Sequence, residues 1–467
     1  MLQTIACGMG GLALPGSLGA SLLRPRPLFV ADNPLAPRAP MFPARIKRVI
    51  FLFMQGGPSH VDSFDYKPEL IRRDGTKIDF TGVRFGTFGK ASKRRLMKPL
   101  WKFKQHGKCG RWVSELFPHQ ARIVDELCFI HSMHTDGVAH GPATLFMHTG
   151  ATNLVRPSIG SWITYGLGTM NPNLPGFITV SPPSANGGPR NFSNGFLPAV
   201  FQGTAIGRAG LSASKAKINN ILNSKLTREQ QSEQFALLQA LNREQLHNAG
   251  GDDQLAAEIE AYELAYRMQD TAPTTLDTTG ESPSTLKLYG IGDKHTDDFG
   301  RQCLLARRLA ESGVRYIQVN YADQTANPRF DQHSNMPKHA DHTRAVDRPV
   351  AGLIADLRAR GLLEDTLVWW GGEFGRTPFA QGKDGRDHNP GGFTVWLAGG
   401  GVKKGHAHGS TDEIGHYAAQ GAVHMHDLHA TILHMLGMDH EKLTYRFAGR
   451  DFRLTDVHGK VVHELFG

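Results

Sequence analysis

The chain reads as an α/β protein built on a mainly parallel central sheet, and three observations predict this. Helix-like and strand-like segments alternate from residue 299 onward: a helix over 299–311, a strand over 314–321, a helix over 344–360 and a strand over 366–370. That order makes βαβ units. The run 46–54, almost unbroken in apolar residues, reads as a central strand covered on both faces. Clusters rich in histidine and acid lie directly beside the strand-like runs, where open α/β sheets bind ligands.

At the N-terminus, residues 5–16 form a short apolar, small-residue run, followed by a proline-rich tether to about residue 43. The run is too short to cross a bilayer. It looks like the apolar region and cleavage zone of a secretory signal lacking its basic start, expected to be of the twin-arginine type. An exported protein, periplasmic or extracellular, is therefore expected, with residues 1–43 as signal and tether and 44–467 as the folded domain.

The first strand, 46–54, feeds a tight Gln55-Gly56-Gly57-Pro58 loop that delivers Ser59, His60, Asp62 and Asp65. A second strand-like run, 127–133, leads to His134, Thr135, Asp136 and His140. Proline at 142 and glycine at 150 suit the first turn and the end of a short helix, so His140 is expected at a helix N-terminus. Residues 156–210, rich in Gly, Pro, Asn and Ser, read as extended surface loops. Thr227 and Gln230 make a capping box that opens a helical hairpin. The hairpin breaks at Gly250-Gly251 and forms, over 226–284, an inserted cap or lid. In the helix 344–360, Val350, Leu353, Ile354 and Leu357 share one face. A last helix starts near Asp427 and stops at Gly437.

The 467 residues are 40% hydrophobic and 20% charged, which excludes a fibrous or wholly disordered chain. The net charge of +9 is concentrated in one acid-free stretch that runs from Lys90 through Lys93, Arg94, Arg95 and Lys98 to Arg111, with Trp101 and Phe103 inside it. Such a stretch suits a sulfated or phosphorylated polymer, with nucleic acid the less expected partner. Otherwise it is a solvated loop. The four cysteines, Cys7, Cys109, Cys128 and Cys303, are too sparse to staple the chain, although Cys109 and Cys128 could pair in an oxidising compartment. No other segment is long and apolar enough to span a membrane.

Asp331, His333 and His388 supply the carboxylate and imidazole donors that a divalent cation accepts, zinc or calcium being the expected metals. Glu373, just past the strand 366–370, is the natural fourth ligand or general base. Arg376 and Arg386 offer forked donors for a phosphate or sulfate, with Ser59 and His60 as further substrate contacts.

The motifs Gln55-Gly-Gly-Pro-Ser-His-Val-Asp, Arg156-Pro-Ser-Ile-Gly-Ser-Trp, Asp331-Gln-His333, Gly372-Glu-Phe-Gly-Arg-Thr-Pro and Gly385-Arg-Asp-His carry a resemblance. In this order they resemble the bacterial sulfatase-like family catalogued as domain of unknown function fifteen-oh-one, over about residues 45–436. That family is similar to the alkaline phosphatase and sulfatase superfamily. The resemblance implies a three-layer α/β sandwich with metals at the carboxyl ends of its strands.

By the same resemblance, His140 falls at the nucleophile position, and Asp331, His333 and His388 fall at the ligands of one metal. Glu373 and Phe374 replace an aspartate and a histidine ligand of a second, which Asp62 with Glu373 could rebuild. His140 is accordingly either a nucleophile or a ligand. The expected function is a metal-dependent hydrolase of phosphate or sulfate esters, possibly on a sulfated polysaccharide. The alternative is a noncatalytic protein that binds acidic glycan on a degenerate hydrolase scaffold.

Overall fold

The computed structural model describes residues 33–79, 93–218, 221, 225–325 and 327–467. The signal-like run, Cys7 and Lys90 lie outside the described residues. The central sheet is assembled from β1 (Arg48–Met54), β2 (Leu127–His134), β3 (Phe177–Val180), β4 (Thr204–Ile206), β5 (Tyr316–Tyr321) and β6 (Thr366–Gly371). A separate hairpin of β7 (Gly375–Gln381) and β8 (Gly385–Asn389) follows, and β9 (Phe393–Ala398), β10 (Ala407–His408) and β11 (Val423–His424) return to the sheet. The strand order is β10-β2-β9-β6-β1-β5-β3-β4, with β11 also beside β2. Neighbours run parallel except β9, which is antiparallel to both β6 and β2.

The expected α/β class with a mainly parallel sheet is what forms. In β1 all seven residues are buried, six of them large apolar side chains, Val49 through Met54. Each such burial stabilises the fold by about 1.5–3 kcal/mol, so this strand anchors the core.

Helices α1 (His140–Thr149), α2 (Ile159–Leu167), α3 (Arg228–Asn248), α4 (Asp253–Leu276), α5 (Asp297–Glu311), α6 (His339–Ala359) and α7 (Met425–Met435) complete the architecture. Strand register shows how they are layered. Phe51 and Phe53 of β1 meet His148 of α1. Met54, on the other face by the period-two rule, pairs with Tyr321, whose ring meets Phe299 of α5 and His342 of α6. Helices therefore cover both faces. α1 ends as the sequence predicts: Gly150 sits at φ 69° and its N–H donates to the Phe146 carbonyl.

Three expectations are corrected. Residues 156–210 do not form only loops, because they supply α2 and the sheet strands β3 and β4. β3 is four residues long and fully buried, too short beside Gly176 and Pro182 to announce itself. The helical hairpin α3/α4 is not a lid. Arg267 of α4 donates to the Pro172 carbonyl, and Arg308 donates to the carbonyls of Thr274 and Thr275. These contacts lie where β3 and β5 begin, at the sheet edge opposite the strand ends that carry the histidines. Finally, Cys109, Cys128 and Cys303 are all free; Cys128 is buried in β2, and no 109–128 disulfide forms.

Candidate metal centre

The loops at the carboxyl ends of β1, β5 and β6, the N-terminus of α1 and the β7/β8 hairpin meet at one point. Gly56, with φ +107°, follows β1, and a Cβ on it would come within 2.6 Å of the Phe330 backbone nitrogen. Only glycine lets the Asp331 loop approach this closely. Gly385 plays the same part on the hairpin, since a Cβ there would overlap the His333 carbonyl.

The result is a group of four: His140, Asp331, His333 and His388 place one donor atom each within 4.8 Å of one another. The Nε2 atoms of His333, His140 and His388 lie 2.8, 3.1 and 3.3 Å from the same oxygen, Asp331 Oδ1. Two of these nitrogens, on His333 and His388, are 3.0 Å apart.

Each Nδ1 is held by an acceptor. His140 Nδ1 donates to Glu373 Oε1 at 2.6 Å and His388 Nδ1 to the Val138 carbonyl at 3.0 Å. His333 Nδ1 is bonded to the Gln381 side-chain oxygen. With Nδ1 protonated, each neutral ring turns an Nε2 lone pair inward. Three lone pairs and a carboxylate oxygen then face one another, an arrangement that repels itself unless a cation lies between them. It is the donor set and outer support of a histidine-rich metal site. His333 is the open side, with its side chain 27% exposed against 8% for His140 and 7% for His388.

Several expected site residues sit elsewhere. Both Glu373 oxygens accept the Gly56 N–H, at 3.0 and 3.1 Å, and Oε1 also accepts from His140, so Glu373 stands behind a ligand and outside the donor group itself. His140 turns Nε2 to Asp331 and Nδ1 to Glu373, the posture of a metal ligand within the group of four. Asp62 is no ligand. Its carboxylate accepts from Arg386 Nε at 2.8 Å, Ser59 Oγ at 2.6 Å and the Leu100 N–H at 3.0 Å.

Arg386 spends its remaining donors on the carbonyls of Thr377, Met97 and Lys98, and Arg376 on those of Gly56, Gly57 and Arg386 and on Asp331. Both guanidiniums are fully buried, so neither can clamp an ester. Ser59 and His60 are buried as well, and His60 Nε2 donates to the Gly415 carbonyl. Phe374, at the place of an expected second-metal histidine, stacks on His388 with centroids 4.4 Å apart. Among the described residues there is one such donor group, not two. Gln381 and the Val138 carbonyl were not legible in the sequence, because an amide on a hairpin and a backbone oxygen carry no motif.

Two expected outcomes follow. Glu373→Gln keeps an acceptor for the Gly56 N–H but weakens the hold on His140. It should lower metal affinity about 10–100-fold, read by competition with a chromophoric chelator; unchanged affinity would refute the supporting role. The second concerns pH. Burial disfavours the His140 imidazolium, but its bonds to Asp331 and Glu373 outweigh this and raise its pKa above the ordinary value, whereas burial takes His388 down to about 4. Protons on His140 compete with a metal. Affinity should therefore fall as pH drops through that raised value, beginning nearer neutrality than for an ordinary imidazole. In the metal-free protein the sign reverses: the raised pKa adds stability below about pH 6.5 that is lost as pH rises through the folded value. Metal titrations and urea unfolding across this range test both signs.

A mainly parallel α/β sheet with a histidine and aspartate cluster at its carboxyl edge defines the class: a protein with a candidate metal centre at strand ends. Residues 46–466 match the family described as Protein of unknown function (DUF1501), and the chain belongs to that family. No curated protein matches the chain.

Solved structures that resemble it include Ps i-CgsB in complex with k-i-k-neocarrahexaose, at 11% identity over 84% of this chain and 72% of that one, TM-score 0.37. The PsFucS1 sulfatase from Pseudoalteromonas sp. is similar at 11% identity over 85% of this chain and 69% of that one, TM-score 0.36. A protein in the alkaline phosphatase superfamily from Vibrio parahaemolyticus is similar at 9% identity over 87% of this chain and 70% of that one, TM-score 0.35.

Proposed function

We propose that this protein is an exported, metal-dependent hydrolase of phosphate or sulfate esters, with the metal held by His140, Asp331, His333 and His388. The observation that carries the reading is the convergence of three imidazole nitrogens on Asp331 Oδ1, each ring oriented by an acceptor behind it.

Three imidazoles and one carboxylate suit a borderline transition ion such as zinc. Calcium, the other expected metal, takes six to eight oxygen ligands and fits poorly. Bound there, such an ion supplies Lewis-acid polarisation of an ester oxygen and makes water more acidic. The chain's own residues orient and shield. Glu373, Gln381 and the Val138 carbonyl aim the rings, Phe374 walls one side, and the partly exposed His333 edge leaves an approach for substrate.

The anionic character of the substrate is supported by the basic stretch. Its strand Arg94–Arg95 lies beside the β7/β8 hairpin: the Arg95 guanidinium donates to the Lys383 carbonyl at 2.9 Å and Leu96 bridges to Phe379. Exposed Lys93, Lys98 and Lys383 thus flank the hairpin that carries Gln381 and His388, a cationic margin suited to a sulfated or phosphorylated polymer. Export is read from the signal-like run alone. No helix of the described residues is long and apolar enough to cross a membrane.

The test pairs metal analysis with a panel of aryl and sugar phosphates and sulfates, on the wild type and on His333→Ala. Metal and turnover lost together in the variant support the hydrolase. Metal without turnover in the wild type overturns it in favour of the noncatalytic scaffold, a second reading favoured by the count of four protein donors, which alone can fill a tetrahedral structural site.

A further inference from the structure

The α1 helix carries the metal centre at its N-terminus and closes, ten residues later, against a second cavity. At ~1.5 Å per residue the two lie about 15 Å apart. The cavity has a volume of about 210 Å³, and its lining includes Thr149, Gly150, Arg156, Trp162, His426 and Arg453. Two of these come from the Arg156-Pro-Ser-Ile-Gly-Ser-Trp motif, which plays no part in the metal centre. Pro157 and Ser158, the N-cap of α2, set the turn that brings Arg156 and Trp162 to the same cavity.

Three guanidiniums, Arg156, Arg450 and Arg453, stand near three carboxylates, Asp136, Glu441 and Asp456, but they do not pair one to one. Asp456 accepts from Arg450, Arg453 pairs with Glu441 at 3.3 Å, and Asp136 faces His424 at 3.5 Å. Arg156 pairs with none of the three, although Asp456 on the same cavity wall lies near enough to favour its charge. Its guanidinium lies 4.2 Å from the centre of the Phe452 ring and makes no hydrogen bond or ion pair among the described residues. The His426 side chain is 97% buried, lines the cavity, and has an Nδ1 with no partner.

A buried imidazole nitrogen without a partner is destabilising unless something meets it. The negative end of the helix is satisfied in part. Leu145 accepts from Thr149 Oγ1, Phe146 from the Gly150 N–H and Met147 from His429 Nε2, each at 2.8 Å.

We propose that this cavity is an oxyanion-binding site, in which the Arg156 fork and the His426 ring hold a sulfate, phosphate or carboxylate group. A guanidinium with all its donors unspent matches two oxygens of such a group at once, and the His426 ring, which bears an unpartnered Nδ1, forms the wall beside it. The site is independent of the ester-hydrolase reading, since none of its residues belongs to the metal centre.

The test is calorimetric titration of the full chain as purified with sodium sulfate, sodium phosphate and sodium acetate at constant ionic strength, with His333→Ala separating any anion bound at the metal centre. Saturable binding of at least one anion is expected, weakened tenfold or more by Arg156→Gln and unchanged by His333→Ala. Sulfate or phosphate without acetate assigns a tetrahedral anion, and acetate alone a carboxylate. Arg156→Lys, which keeps the charge but loses the fork, should weaken binding by less than Arg156→Gln. Unchanged urea-unfolding midpoints in both variants report that they fold. Absence of saturable binding, or binding lost in His333→Ala and kept in Arg156→Gln, would overturn the proposal.

Discussion

Asp331→Ala is expected to yield a chain that holds no metal at the cluster and is about 3–5 kcal/mol less stable even when both proteins are metal-free. The first effect follows from losing the oxygen on which three imidazoles converge. The second follows from Arg376, which is fully buried and whose one carboxylate partner among the described residues is Asp331, at 2.7 Å. Its other bonds run to the carbonyls of Gly56, Gly57 and Arg386, which are dipoles and not countercharges. Removing the carboxylate strands a guanidinium out of water. Asp331→Asn, which keeps an oxygen acceptor, should lose less stability and still bind metal poorly. Urea unfolding with metal analysis reads both; a loss below about 1 kcal/mol in Asp331→Ala would show that the guanidinium is compensated elsewhere.

Asp62→Ala is expected to cost a similar amount, about 3–5 kcal/mol, and to leave the metal stoichiometry alone. Asp62 and Arg386 are both fully buried and paired at 2.8 Å, so truncating one leaves the other charged and unmatched. The double replacement Asp62→Leu with Arg386→Met should recover much of the loss, because a buried pair replaced by apolar residues of similar size is often neutral or better. A drop in bound metal for Asp62→Ala, with the fold intact, would return Asp62 to the ligand role that its place after the first strand suggests.

These two variants mark where reading the chain works and where it stops. The strands β1, β5 and β6 are legible because each is a short apolar run bounded by Gly, Pro or charged residues, and α1 is legible because His140 and Gly150 bracket it with a proline in the first turn. Asp331, His333 and His388 are legible as donors because carboxylate and imidazole beside strand ends suit a divalent cation. Asp62, Arg376 and Arg386 are equally polar and equally close to those ends, yet their burial and pairing are set by how the β7/β8 hairpin folds back on the β1 loop. No local spacing encodes that.

The chain by itself determines which segments are strands and helices and which side chains are chemically able to bind a cation, since apolar runs, caps and residue type are local properties. Which oxygen points at the imidazoles, which guanidinium is consumed as an internal counterion, and which helix end opens on a cavity with an unspent arginine are decided only in three dimensions. The physical reason is that a charged group's role depends on the partner that neutralises it. Here the partners come from residues up to 324 positions away along the chain.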